Sequence, residues 1–261
     1  MVDVLNELHI PHASPRQAGC TDCLRKAETG RQRHARGEVL ARHRHAHAFA
    51  TLVISGGYEE AGDSGLHRVH AGDVLFHCAH ERHLDRMHAT GADVPVLPLP
   101  KDWSGIARAR VTDTDAVVRL AEGDVPAAVT HLLEHARSAV SEPHDWPDQL
   151  ATDILANPCM SLTEWADLNG LHPGSVSRGF GQVFAISPKA FRLQARTHAA
   201  LKLYRSTSLT ASAIAHTCGF ADQAHLSRSI TALTGVTASQ FREPTSRHRQ
   251  AITPSAGATH D

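Results

Sequence analysis

Between residues 37 and 99 the apolar positions of this chain come in short runs rather than at helical spacing. GEVLARH, AFATLVISGGYEE, LHRVHAGDVLFH, HLDRMH and DVPVLPL are rich in β-branched and aromatic residues, and Gly56-Gly57, Gly65, Gly72-Asp73 and Gly91 punctuate them. Short strands at this spacing predict an antiparallel sandwich or small barrel. From about Asp113 the period lengthens. Val117, Val118, Leu120 and Ala121, then Val125, Ala128, Val129, Leu132, Leu133 and Ala136, recur at helical spacing. Ser141–Pro147 reads as a linker, and everything from Trp146 to Arg242 reads as helices with short turns. Residues 1–36 have no clear period and are expected to be irregular; the Ser/Thr/Pro/Ala-rich residues 245–261 are expected to fray. The pattern divides the chain into residues 1–36, a β domain at 37–140, a helical domain at 146–244 and a tail.

Within the helical part, one unit occurs twice. Ser161 and Glu164 form an S-x-x-E capping box, Leu162, Trp165, Ala166 and Leu168 give the helix an apolar face, and Asn169-Gly170 stops it. Pro173 then opens a second helix with Val176, Phe180 and Val183 on its buried side. About fifty residues later the sequence repeats this plan. Leu209, Ile214 and Ala215 face inward, Gly219 ends the first helix, Asp222 caps the next, and Leu226, Ile230 and Leu233 form its core stripe. The segment between the units predicts a linker helix of roughly seventeen residues, about 25 Å long. That length suits two recognition helices in successive major grooves, about 34 Å apart.

These residues resemble the DNA-binding domain of AraC/XylS-type transcription regulators. The resemblance rests on Ser177–Phe180, Ser187-Pro188, Arg196 with Ala199 and Ala200, Ile214-Ala215, Cys218-Gly219-Phe220, Asp222-Gln223, His225–Arg228 and Gly235-Val236-Thr237. Gly181 and Thr231 stand where the family usually carries Lys, Ala185 where it carries a turn Gly, and Ala238 where it carries Pro. Two fewer Lys weaken phosphate contacts and favour a dimer. The resemblance implies Ser175, Ser177, Arg178 and Gln182 on the first recognition helix and Gln223, His225, Ser227 and Arg228 on the second as DNA-reading residues. Arg can fork onto guanine and Gln onto adenine. Lys189, Arg192, Lys202 and Arg205, on or near the linker helix, are expected to touch phosphate.

The charge distribution agrees with this division of labour. The net charge is −1, yet residues 161–250 carry ten Lys/Arg against four Asp/Glu, and residues 1–160 carry sixteen against twenty-two. A basic segment beside an acidic one suggests a polyanion binder joined to something else. The acidic part holds ten of the 21 His between His34 and His88. In ARHRHAHAF a strand would put His43, His45 and His47 on one face. A further strand after Gly72-Asp73 leads to His77, His80 and His83.

This spacing resembles the two cupin motifs: Gly37 followed after five residues by His43-x-His45, and Gly72 followed by a segment ending in His80-x-x-His83. Three imidazoles, His43, His45 and His83, on adjacent strands suit a divalent transition metal, whether Zn, Fe, Ni, Co or Mn. The carboxylate of the first motif falls at Phe49 or Ala50, so His47 or His77 is the candidate fourth ligand. Glu59-Glu60 and Asp63 read as a solvated polar turn, Cys20-x-x-Cys23 as two ordinary thiols, and Cys78, Cys159 and Cys218 as small core residues.

The expected fold class is therefore α+β: an N-terminal antiparallel cupin-like barrel with flanking helices, and an all-α domain of two helix-turn-helix units joined by a linker helix. The implied function is a sequence-specific DNA-binding transcription regulator without catalytic residues, whose cupin-like domain senses a small molecule or metal. Its expected partners are a double-stranded DNA operator, RNA polymerase and a second copy of the chain in a homodimer. The alternative is a metal-dependent cupin enzyme, a dioxygenase or isomerase, carrying a helix-turn-helix module. No run of eighteen apolar residues suggests a membrane span, and no basic start leads into an apolar run, so a cytoplasmic protein is expected.

Overall fold

A computed structural model of the chain describes residues 24–25, 29–139 and 143–242. The Cys20/Cys23 pair and the tail from 245 lie outside the described residues.

The N-terminal half is a curled sheet, a half-barrel. Its strands are β1 (Leu24–Arg25), β2 (Gly30–His34), β3 (Val39–His45), β4 (Phe49–Leu52), β5 (Ser55–Gly62), β6 (Gly65–His70), β7 (Asp73–His77), β8 (Arg82–Pro98), β9 (Arg108–Arg110) and β10 (Arg137–Ser138). All pairings are antiparallel except β1 with β3. The spine is β8. HLDRMH and DVPVLPL, separate runs in the sequence reading, are one 17-residue strand that pairs along its length with β3, β5, β2 and β4. Gly91 bends this strand rather than ending it. A Cβ on Gly56 would lie 2.0 Å from the Gly91 carbonyl oxygen, and both residues have positive φ (72° and 70°), so the crossing of β5 and β8 requires glycine at both positions.

Part of the segment expected to be irregular is also a strand. β2 carries almost no apolar residues, but Asp93 of β8 receives Arg31 at 2.8 Å and Arg33 at 3.3 Å. The outer face of the sheet is covered by α1 (Thr114–Gly123) and α2 (Val125–His135), each capped by an Asp, Asp113 and Asp124, that accepts a backbone N–H three residues on. Val117, Ala128 and Leu132 of these helices are fully buried against Leu52, Val74, Phe76 and Leu97.

The C-terminal half is helical: α3 (Trp146–Ala156), α4 (Leu162–Leu168), α5 (Pro173–Phe184), α6 (Pro188–Ser206), α7 (Ala211–Thr217), α8 (Gln223–Thr234) and α9 (Ala238–Arg242). The first helix-turn-helix unit is α4–α5 and the second is α7–α8, with α6 between them. Ser161, Thr210 and Asp222 cap α4, α7 and α8 through their side chains, and Gly170, Gly219 and Gly235 follow α4, α7 and α8 with φ of 64°, 71° and 79°. After α5 the left-handed position is held by Ala185 at φ 57°, where a Cβ is strained.

Leu168 and Leu209, expected to be core, are 87% and 40% exposed. The second unit has its own core around Ile214, Leu226 and Ile230. The first does not. Phe180, Phe184, Phe191, Leu150 and Ile154 share one cluster with Ala61, Leu66 and Leu84 of the half-barrel.

Candidate metal centre and DNA-reading surface

Alternation along β3 turns His43 and His45 into the half-barrel and Arg42 and Arg44 out of it. On β8 the inward residues are His83 and Asp85; His43 and His83 face each other in register. The three imidazoles are buried, and their donor atoms lie within 4.8 Å of one another. His43 donates its Nδ1–H to the Ala41 carbonyl at 2.8 Å, which leaves the lone pair on Nε2. That Nε2 is 3.1 Å from Nε2 of His83, close to the separation of about 3.3 Å between two nitrogens on one tetrahedral ion.

The proposed fourth ligand divides. His47 lies beyond the end of β3 and is exposed, because the strand's alternation stops at His45. His77, at the end of β7, is 2% exposed and stacks on Phe49 with ring centroids 4.3 Å apart. It belongs to a second cluster with Glu60 and His83, so His83 is common to both. Glu60 of β5 thus brings a carboxylate into this second cluster.

Glu60 corrects the sequence reading, which placed it in a solvated turn: it is 2% exposed, and its Oε2 lies 3.7 Å from Nε2 of His77. The parity of Tyr58 and Glu60 on β5, both facing inward, was the available signal. Burial, with Asp85 beside it, holds the Glu60 carboxyl well above the usual range. Burial, with the neighbouring imidazoles, holds His77 and His83 well below theirs, in the neutral form a metal ligand needs. Two buried carboxylates among neutral imidazoles are unfavourable unless a proton or cation joins them. Oε1 of Glu60 and Nε2 of His77 also lack hydrogen-bond partners. The donor set therefore fits a divalent transition metal. The cluster opens into a cavity of about 460 Å³ walled on its apolar side by Leu40, Met87, Val94 and Val96.

Asp63, the other residue misread as solvated, is 6% exposed. It pairs with Arg42 and accepts from the Arg82 backbone N–H at 3.1 Å and from His198 of α6 at 3.0 Å. Cys159 is exposed rather than core, while Cys218 is buried and Cys78 half-buried.

On the helical side, Ser175, Ser177, Arg178 and Gln182 are exposed along α5. On α8, Gln223 and Arg228 are exposed, while His225 and Ser227 are half-buried, His225 with its ring edge-on to Phe220 at 5.2 Å. Arg228 lines a recess with Arg82, Leu193 and Gln194, so it lies at the seam with the half-barrel. Lys189, Lys202 and Arg205 are exposed. Arg192 instead donates to the Met160 carbonyl at 2.7 Å and holds the turn before α4. Arg196 ties the two units together, donating to Pro158 at 2.8 Å and to Gly219 at 3.0 Å.

Residues 165–244 match a family described as a helix-turn-helix domain. Residues 165–244 are thus an AraC-type helix-turn-helix domain. Among solved structures, this chain is similar to ToxT from Vibrio cholerae (8% identity, 82% of this chain and 98% of that one, TM-score 0.39). It is also similar to the C-terminal domain of AraT, a response regulator from Geobacillus stearothermophilus (22%, 46% and 98%, 0.36). A third likeness is to a probable AraC family transcriptional regulator from Rhodopseudomonas palustris CGA009 (26%, 36% and 91%, 0.34). A comparison with curated proteins found no match. Among the described residues, no helix is long and apolar enough to cross a membrane.

Proposed function

We propose that the chain is a DNA-binding transcription regulator that senses a divalent transition metal, or a small molecule held beside one, in the half-barrel, and reads DNA through α5 and α8. The observation that carries the sensing half is the convergence of His43, His45 and His83, with Glu60 and His77 behind them, on one buried point beside the cavity. When bound, the metal would supply positive charge beside the buried Glu60 carboxyl. His43, His45 and His83 would hold it, Glu60 or His77 would complete the set, and the cavity leaves space for a small ligand.

His43→Ala combined with His83→Ala should abolish metal uptake, and Glu60→Gln should weaken it by more than tenfold. Elemental analysis of protein purified without an affinity tag checks this. A native protein without stoichiometric metal, even after dialysis against Zn, Ni, Co, Fe or Mn salts, would reject the site.

The reading half has its own test. Arg178→Ala should lose about 1–3 kcal/mol of discrimination between a selected operator and a scrambled duplex if its fork reads guanine. Lys189→Ala should instead weaken both duplexes alike and reduce the salt slope by about 0.9. Fluorescence anisotropy across a salt series separates the two. Equal, salt-independent effects of both variants would count against the assignment of base and phosphate roles.

A further inference from the structure

The arginines that alternate with the pocket histidines have a destination. Arg86 of β8 donates to the carbonyls of Gln182 at 2.9 Å and Val183 at 3.0 Å, and Arg42 of β3 donates to Phe184 at 3.3 Å. These are the last carbonyls of the first recognition helix. Arg44 of β3 donates to the Leu233 carbonyl, and Arg82 of β8 to Ala232 at 3.4 Å. These belong to the last turn of the second.

Each recognition helix therefore ends on one arginine from β3 and one from β8. Helix C-termini carry partial negative charge and unsatisfied carbonyls, and the guanidinium fork suits both. Arg42 also reaches Gln194 of α6 at 3.0 Å, so the linker helix is held by the same strands. The first helical turns, which enter the groove in helix-turn-helix proteins, are left outside this contact: Ser175, Ser177, Arg178 and Gln223 are exposed.

We propose that Arg42, Arg44, Arg82 and Arg86 are positioning residues that fix the two recognition helices relative to each other and so set the one separation between DNA half-sites that the protein accepts. The proposal rests on the DNA-reading function above. Without the arginines, Arg196 and the linker helix still connect the units, but the C-terminal end of each recognition helix loses its anchor on a common pair of strands. Each helix then keeps its own base preference while their mutual placement widens.

The test is selection from a pool of random-sequence duplexes with the full chain, followed by sequencing. Arg82 and Arg86 are chosen because Arg42 also carries a buried ion pair. The wild type should enrich two half-sites at one separation. Arg82→Gln with Arg86→Gln should enrich the same half-sites at several separations, and Arg82→Lys with Arg86→Lys should restore the single one by keeping charge at the helix ends. Circular dichroism confirms that each variant is folded. A Gln variant that keeps the single separation overturns the proposal, as does a folded Gln variant that loses both half-site motifs. A wild type that enriches nothing overturns the DNA-reading function itself, and the proposal with it.

Discussion

Asp63→Ala should cost the folded chain about 3–5 kcal/mol, because it removes one partner from a buried charge pair and leaves the other in place. The Asp63 side chain is 1% exposed and that of Arg42 is 7% exposed. Burial, with the Arg82 charge nearby, pulls the Arg42 pKa down even with Asp63 opposing it, so the guanidinium depends on this carboxylate. Asp63 also holds His198 of the linker helix and the backbone of β8, so three elements lose a common acceptor. Urea unfolding at fixed pH measures the loss, and an unchanged midpoint would contradict it.

The same pair gives the stability a pH signature. Burial opposes the charge on His198, but the hydrogen bond and charge of Asp63 outweigh it and raise the histidine's pKa. A raised histidine contributes in full below its unfolded value near 6.5, and the contribution disappears as pH rises through the folded value. For Asp63, burial pushes upward and the His198 hydrogen bond and the Arg42 charge outweigh it. Its lowered pKa gives a contribution present above its unfolded value of 3.8 and lost as pH falls through the folded one. The stability difference between the wild type and His198→Ala should therefore be largest in mildly acidic solution and shrink at alkaline pH. A difference that grows with pH would show that the pair is not what holds His198.

How far the sequence carried this picture depends on where each signal is stored. The helical units were legible because their determinants are local: Ser161, Thr210 and Asp222 act within three residues of themselves, and Gly170, Gly219 and Gly235 set their own φ. The three imidazoles were legible because strand period places His43 and His45 together and one strand pairing brings in His83. What was hidden depends on partners far along the chain. β2 has no hydrophobic pattern, because its support comes from Asp93 about sixty residues away. Asp63 looks like a turn residue until His198, 135 residues later, closes over it. Glu60 looks like surface until β8 pairs with β5 and turns it inward.

The misplacement of Glu60 and Asp63 has one physical source. In the sequence both look like loop residues, because charged residues beside glycines are usually solvated. Here His198 of the linker helix packs onto Asp63 of the β5–β6 turn, so a short polar stretch becomes the joint between the half-barrel and the helical half. A polar joint is specific in a way that an apolar one is not. Arg42, Asp63 and His198 can be satisfied together only in one relative placement of β3, the β5–β6 turn and α6.

Phe180→Ala should be the most damaging single truncation in the helical half, and its effect should not stop there. Phe180 is fully buried, stacked on Phe184 at 4.3 Å and edge-on to Phe191 at 5.3 Å. Loss of a buried aromatic ring of this kind costs about 3–5 kcal/mol. A self-contained helix-turn-helix unit would lose that stability alone. In this chain the cluster around Phe180 also contains Ala61, Leu66 and Leu84 of the half-barrel, so the cavity opens beneath the sheet as well. The half-barrel and the first unit are therefore expected to unfold in one transition, shifted to lower urea together. Trp103, stacked on Phe76 at 5.2 Å, reports the half-barrel, and Trp165, hydrogen-bonded to Asp153 at 2.7 Å, reports the first unit. In variants retaining one of these tryptophans each, Phe180→Ala should shift both midpoints to lower urea by the same amount. If Trp103 kept its midpoint while Trp165 shifted, the shared core would not couple the two halves.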